Sequence, residues 1–203
     1  MVGSFSASVL PLMHAVSSLA ANNIIQSISY ATFPISLMII GTAMSVVFAT
    51  FSMKRLGRKR GLMFLLSTGL CACLLAAYAL DIENFYLFSL AAFLLGALNA
   101  TIHQMRFVAL EAVKEINHAT AAAIFMSSGI VAAFLGPEIG FLGKDIFEVE
   151  FKGSFILAAI LVAISMISLC LFNELKKEIK IIKKTKISTS KLLSNPIFAL
   201  ALA

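Results

Sequence analysis

Apolar residues run along this chain in six long blocks, and polar residues gather in the short gaps between them. The blocks cover about 5–21, 32–53, 61–80, 86–106, 119–140 and 153–172. None shows the strict alternation of a half-buried strand, and runs near 20 residues without it read as helices. A helix of about 20 residues crosses the roughly 30 Å of a bilayer's hydrocarbon. Backbone amides in hydrocarbon must be satisfied within the segment or around a closed barrel, which also favours helices here. The pattern therefore predicts an all-α, polytopic membrane protein, with six transmembrane helices in one bundle over residues 1–175.

The gaps mark the turns. Asn22, Asn23, Gln26 and Ser27 close the first block, and Lys54, Arg55, Arg58, Lys59 and Arg60 close the second. Asp81 and Glu83 close the third, and Glu111, Lys114 and Glu115 follow the fourth. After the sixth block comes a basic connector, 176–194. Ser194 or Asn195 can cap a further helix with Pro196 near its first position. That helix, over 195–203, reads as the start of a seventh span, so the expectation is a fragment of a longer protein. The first block lacks the positive n-region of a signal peptide, since no charged residue precedes Lys54, and is expected to be a membrane span.

Composition agrees with the pattern. Of 203 residues 60% are hydrophobic and only 13% charged, with a mean hydropathy of +0.98. A soluble domain is about 45–50% apolar and about 25% charged. This chain has too few charges to cover a soluble core, which excludes a soluble enzyme, a disordered segment or a nucleic-acid module. The net charge of +6 is explained by where the cations sit. Five fall in the turn after helix two, Arg106 and Lys114 near the end of helix four, and seven in the basic tail. Only Lys144 and Lys152 fall on the opposite side. Lysine and arginine concentrate in cytoplasmic loops, so the amino terminus and the basic tail are expected in the cytoplasm. In a bacterial cell that membrane is the inner membrane. Tyr30, Tyr78 and Tyr86 all fall at the expected outer boundary, where a ring with a hydroxyl is favoured. Cys71, Cys73 and Cys170 lie inside apolar blocks without metal-ligand spacing, and are expected to be small packing residues. No metal site and no cofactor is expected.

The turn between helices two and three reads Met53-Lys54-Arg55-Leu56-Gly57-Arg58-Lys59-Arg60-Gly61. By itself it is a cytoplasmic anchor in which Gly57 allows a tight reversal. It also resembles the signature loop of the major facilitator superfamily, G-x-x-x-D-R/K-x-G-R-R/K. Arg55, Gly57, Arg58 and Lys59 match. Thr50 stands where the family has Gly, and Lys54 where it has Asp. That Asp is implied to serve a charge-relay gate, and Lys54 departs from the family at that position. Helix five holds Gly136-Pro137-Glu138-Ile139-Gly140, which resembles the family's G-x-x-x-G-P-x-x-G-G. Ala132 stands for its first Gly and Phe141 for its last. Gly136 and Gly140 are also small residues at helical spacing, suited to close helix packing, and Pro137 favours a kink. The segment from Gly96 to Glu111, followed by His118 to Gly140, is similar to the helix-four and helix-five region of bacterial members.

The resemblance implies two six-helix halves with a solute cavity between them, lined by helices one, two, four and five. This chain would be the amino-terminal half, and its partners would be the bilayer, a small solute of unknown identity and the missing second half. The activity implied is secondary active transport by alternating access, not enzymatic catalysis. Polar residues at depth are the site candidates, because a polar group facing lipid is costly. His14 lies mid-helix one. Asn99, His103 and Arg106 form one stripe on helix four at i, i+4 and i+7. His103 lies about 26 Å from Tyr86 at about 1.5 Å per residue, close to the inner surface. Arg106 is expected to snorkel to that surface. His118 is placed in a solvated loop, and Glu138 near the outer end of helix five.

Two other classes stay open at this point. An intramembrane serine protease needs a nucleophile in a G-x-S-x-G-like setting with a His partner, and Ser127-Ser128-Gly129 lacks the preceding Gly. No H-E-x-x-H is present for a zinc protease. A non-catalytic membrane subunit would use Lys176–Lys186 on anionic lipid.

Overall fold

Polar residues at the ends and apolar residues between them give six helices in the computed structural model of the chain, which describes residues 2–25, 30–111, 113 and 117–171. They are α1 (Val2–Ile25), α2 (Phe33–Leu56), α3 (Arg58–Asp81), α4 (Phe85–Glu111), α5 (His118–Leu142) and α6 (Lys152–Leu171). Among the described residues there is no strand. The basic connector over 176–194 and the seventh-helix start over 195–203 lie outside the described residues. All described residues belong to one compact unit, Met1–Asn173.

Helices α2 to α6 are each long and apolar enough to cross a membrane. α1 is equally long. Its Ser6, Ser8 and Ser17 are buried among neighbouring helices, so they face protein and not lipid, where small polar residues suit close packing.

The turns follow from local chemistry. α2 opens with proline in its first turn, where the missing N–H is no loss. It ends on Lys54 and Arg55, cations that favour the negative end of the helix dipole. Gly57 alone separates α2 from α3. Its φ of +86° is in the left-handed region, which glycine enters without steric cost, and its N–H reaches the Met53 carbonyl at 3.2 Å. The basic cluster is thus carried on two helix ends and not on a loop. At the other end of α3, Asn84 caps α4 by accepting the Leu87 N–H at 3.0 Å.

α4 is the centre of the packing. It lies against α2, α3 and α1, while α1 packs against α5 and α6, and α3 against α6. Of α4's most apolar stretch 61% is buried, against 17% in α2 and 11% in α5. Two glycine contacts bring helix backbones together. A Cβ on Gly41 of α2 would collide with the Phe93 carbonyl, and one on Gly96 of α4 with the Thr42 amide and the Met38 carbonyl. Gly136 of α5 lies against the Ser8 carbonyl and Pro11 of α1, and Gly140 against Val16. α5 stays helical through Pro137. Phe88 of α4 meets Phe155 of α6 edge-on, with centroids 5.6 Å apart.

Contacts sort the helix ends into two groups. At one end Lys152 pairs with Asp81 at 2.7 Å, Asn23 donates to Glu150 at 2.8 Å, and Phe33 stacks on Phe85. Exposed Tyr30 and Tyr86 lie there, with exposed Tyr78 one turn in. The α5–α6 loop is folded over this end. Phe151 is buried at a φ of +65°, its N–H bonds the Lys144 carbonyl, and the Lys144 ammonium stands over its ring. Burial of the ring holds a backbone conformation that costs about 1–3 kcal/mol. The opposite end carries the basic cluster.

The cysteines need a correction. Cys73 is buried, but Cys71 and Cys170 are exposed, so only Cys73 is a packing residue. Two residues apart on a helix, Cys71 and Cys73 point to different sides.

Candidate functional site

A narrow recess of about 10 Å³, room for a single water molecule, opens between α1, α2 and α4. α1 contributes Ser6, Val9, Leu10 and Met13, α2 contributes Met38, and α4 contributes Leu95, Leu98, Asn99 and Ile102. Helical periodicity explains the set. Leu95, Leu98, Asn99 and Ile102 stand at i, i+3, i+4 and i+7, one face of α4, and Ser6, Val9, Leu10 and Met13 repeat that spacing on α1. The Gly41–Gly96 contact lies beside it and holds α2 against α4.

Two polar residues, Ser6 and Asn99, interrupt the apolar walls, and Asn99 is tied to Thr42 of α2. Thr42 donates its hydroxyl to the Met38 carbonyl at 2.9 Å. Asn99 donates its Nδ2 to the Thr42 Oγ1 at 3.3 Å. The Thr42 hydroxyl has one proton, and it is committed to Met38, so its oxygen receives a donor. That fixes the Asn99 carboxamide with nitrogen toward Thr42. Both residues stand mid-helix, far from either end of the bundle.

Of the four depth candidates, the recess includes Asn99, which is half-buried. His14 is exposed, four residues past Leu10 on the α1 row that borders the recess. His103 and Arg106 are exposed further along the Asn99 row of α4. His118 is not in a loop: it is the first residue of α5 and half-buried. Glu138 is exposed. Thr42 and Met38 escaped sequence reasoning. A threonine inside an apolar block looks self-satisfied, and only its depth, matching that of Asn99, could have pointed to it.

The motif residues lie elsewhere. Gly57 makes the α2–α3 turn, and Arg55 and Arg58 are exposed on either side of it. Lys59 donates its Nζ to the Cys170 carbonyl at 2.9 Å, a cation on the last carbonyls of α6. Gly136 and Gly140 form the α1–α5 contact, with Pro137 half-buried between them. Ser127 and Ser128 donate their hydroxyls to the Ala123 and Phe125 carbonyls of their own helix. Among the described residues, no three His, Cys, Asp or Glu side chains come together to hold a metal ion.

A bundle of six helices with a polar pair at mid-depth is a multi-pass membrane protein. The family model for the Major Facilitator Superfamily matches residues 1–203, and the chain belongs to that family. It is similar to the riboflavin transporter RfnT of Brucella anthropi, with 27% identity over 200 residues. That alignment covers 97% of this chain and 50% of the relative, so the chain spans about half the length of the curated relative it matches. No solved structure matches it.

Proposed function

We propose that this chain is one six-helix half of a secondary active transporter that moves a small solute across a membrane by alternating access. The observation that carries the reading is the mid-helix Thr42–Asn99 pair, whose Asn99 lines a mostly apolar recess. Polar groups at membrane depth are costly and mark solute pathways. Transporters of this kind place the site near the midplane, between two bundles that rock against each other. A second six-helix half supplies the facing wall. The exposed faces of α2, with Ile39 and Phe48, and of α5, with Ile130 and Phe134, suit contact with that half and with lipid. His14, His103 and Arg106 border the solute path, and the turn motif at Arg55, Gly57, Arg58 and Lys59 holds the α2–α3 reversal at the cytoplasmic surface. The amino terminus shares that side, and in a bacterial cell the membrane is the inner one. The similarity to a riboflavin transporter makes riboflavin the first solute to test.

Counterflow of labelled riboflavin in proteoliposomes tests the proposal. The six helices together with a complementary second half are expected to exchange solute at least ten times faster than empty liposomes. The six helices alone are expected to match empty liposomes. Exchange by the six helices alone would contradict the two-half arrangement. Absence of exchange for riboflavin and for every other solute tried with the completed protein would contradict transport.

A further inference from the structure

We infer that Asn99, oriented by Thr42, is the specificity-determining residue of the recess, and that it selects an uncharged solute group offering both a hydrogen-bond donor and an acceptor: an amide, lactam or imide. The inference rests on the transporter reading and adds the chemistry that the recess recognises.

Three observations lead to it. First, among the described residues, no charged side chain lines the recess. A charged solute group seated there would lose its hydration without an opposite charge in return, which is a large cost. His14, His103 and Arg106 lie outside the lining, further along the helical rows that hold Leu10 and Asn99. Second, the apolar walls include Leu10, Met13, Met38, Leu95 and Ile102. Leucine and isoleucine supply apolar surface, and the two methionines adapt to a flat ring edge. Third, the Asn99 amide is held in one orientation, because Thr42 Oγ1 receives its Nδ2 while donating to Met38. That leaves one N–H and the Oδ1 for the solute. Ser6, the other polar lining residue, has an interaction of its own.

A fixed carboxamide favours a partner that also carries one donor and one acceptor. A carboxylate or phosphate places negative charge against Oδ1. An N-alkylated imide keeps the acceptor and loses the donor, leaving Oδ1 unpaired. Sites built around a hydrogen bond reject analogues lacking it much more strongly than apolar pockets reject a missing methylene. Thr42 is a positioning residue, since it acts on the solute only through Asn99.

Flavin fluorescence quenching, with the transporter in nanodiscs, reads the effect. The probes are riboflavin, which carries an imide N–H, and its N3-methyl derivative, which does not. The wild-type protein is expected to bind riboflavin about ten-fold tighter than the methylated form, a moderate value for such a site. Asn99→Leu is expected to bind the two equally. Thr42→Val is expected to shrink the preference, and Thr42→Ser, which keeps the hydroxyl, to restore it. An undiminished preference in Asn99→Leu overturns the inference, as does a wild-type protein that treats the two probes alike. Failure to bind either probe overturns it too. Counterflow of another solute by the same preparation would leave the transporter reading standing in each case.

Discussion

Gly96→Val is expected to lower the stability of the bundle by about 3 kcal/mol, the upper range for forcing atoms into a packed site. A Cβ at Gly96 meets the Thr42 amide nitrogen and the Met38 carbonyl, which are backbone atoms of α2. A flexible side chain could swing aside, but backbone cannot move unless α2 moves as a whole. Gly41→Val meets the Phe93 carbonyl from the other direction and is expected to cost a similar amount. The same displacement pulls Thr42 from Asn99, so solute binding falls with stability. Gly129 is the control, because a Cβ there has nothing within 4 Å. Gly129→Ala is expected to leave stability unchanged or raise it by up to about 1 kcal/mol, the difference in helix propensity. Thermal unfolding in detergent, followed with a thiol-reactive dye, measures this directly. Cys73 is buried and reacts on unfolding, once exposed Cys71 and Cys170 are replaced by serine. A Gly96→Val protein that melts with the wild type would refute the close α2–α4 contact.

The second large effect concerns orientation. Changing Arg55, Arg58, Lys59 and Arg60 together to glutamine is expected to give a mixed population in the membrane. Each cation near an anionic leaflet contributes about 1 kcal/mol, so four remove about 4 kcal/mol of bias. The opposite end is rich in carboxylates, with Asp81, Glu83, Asp145, Glu148 and Glu150 around Lys144 and Lys152. Glutamine keeps helix propensity, so the helices persist while the sidedness is lost. Loss of the Lys59 bond to the Cys170 carbonyl also loosens the end of α6. Labelling of Glu148→Cys by an impermeant maleimide in intact cells reads the outcome. Complete labelling is expected with the cluster present and partial labelling without it. Labelling that stays complete would show that these cations do not set orientation.

The six helices were legible because lipid removes the need for polar cover, so each span stands out as a block. Helix ends were less so. Asn22 and Asn23 read as a boundary, yet α1 runs through them to Ile25, because its end is held by the Asn23 bond to Glu150, 127 residues away. The cations around Gly57 read as a loop, yet lysine and arginine are good helix formers, and one glycine suffices for the reversal. Cys71 and Cys73 look alike in sequence, and only the direction in which α3 faces its neighbours separates them. At the site, Asn99 announced itself as the deepest amide in its apolar block. Thr42 did not, because its role depends on the approach of α2 to α4 at Gly41 and Gly96, a tertiary contact that helical periodicity cannot reveal.

The most direct test of a solute path through the mid-depth recess is chemical access to it. Ile102 lines the recess beside Asn99, and Ile102→Cys in a background free of other cysteines places a thiol there. Under the proposed transport reading, an impermeant maleimide is expected to label this thiol when the six helices are joined to a second half, and a saturating transported solute is expected to slow the labelling several-fold. If the thiol stays unlabelled from both sides of the membrane while Glu148→Cys reacts fully, the recess is sealed packing and carries no solute.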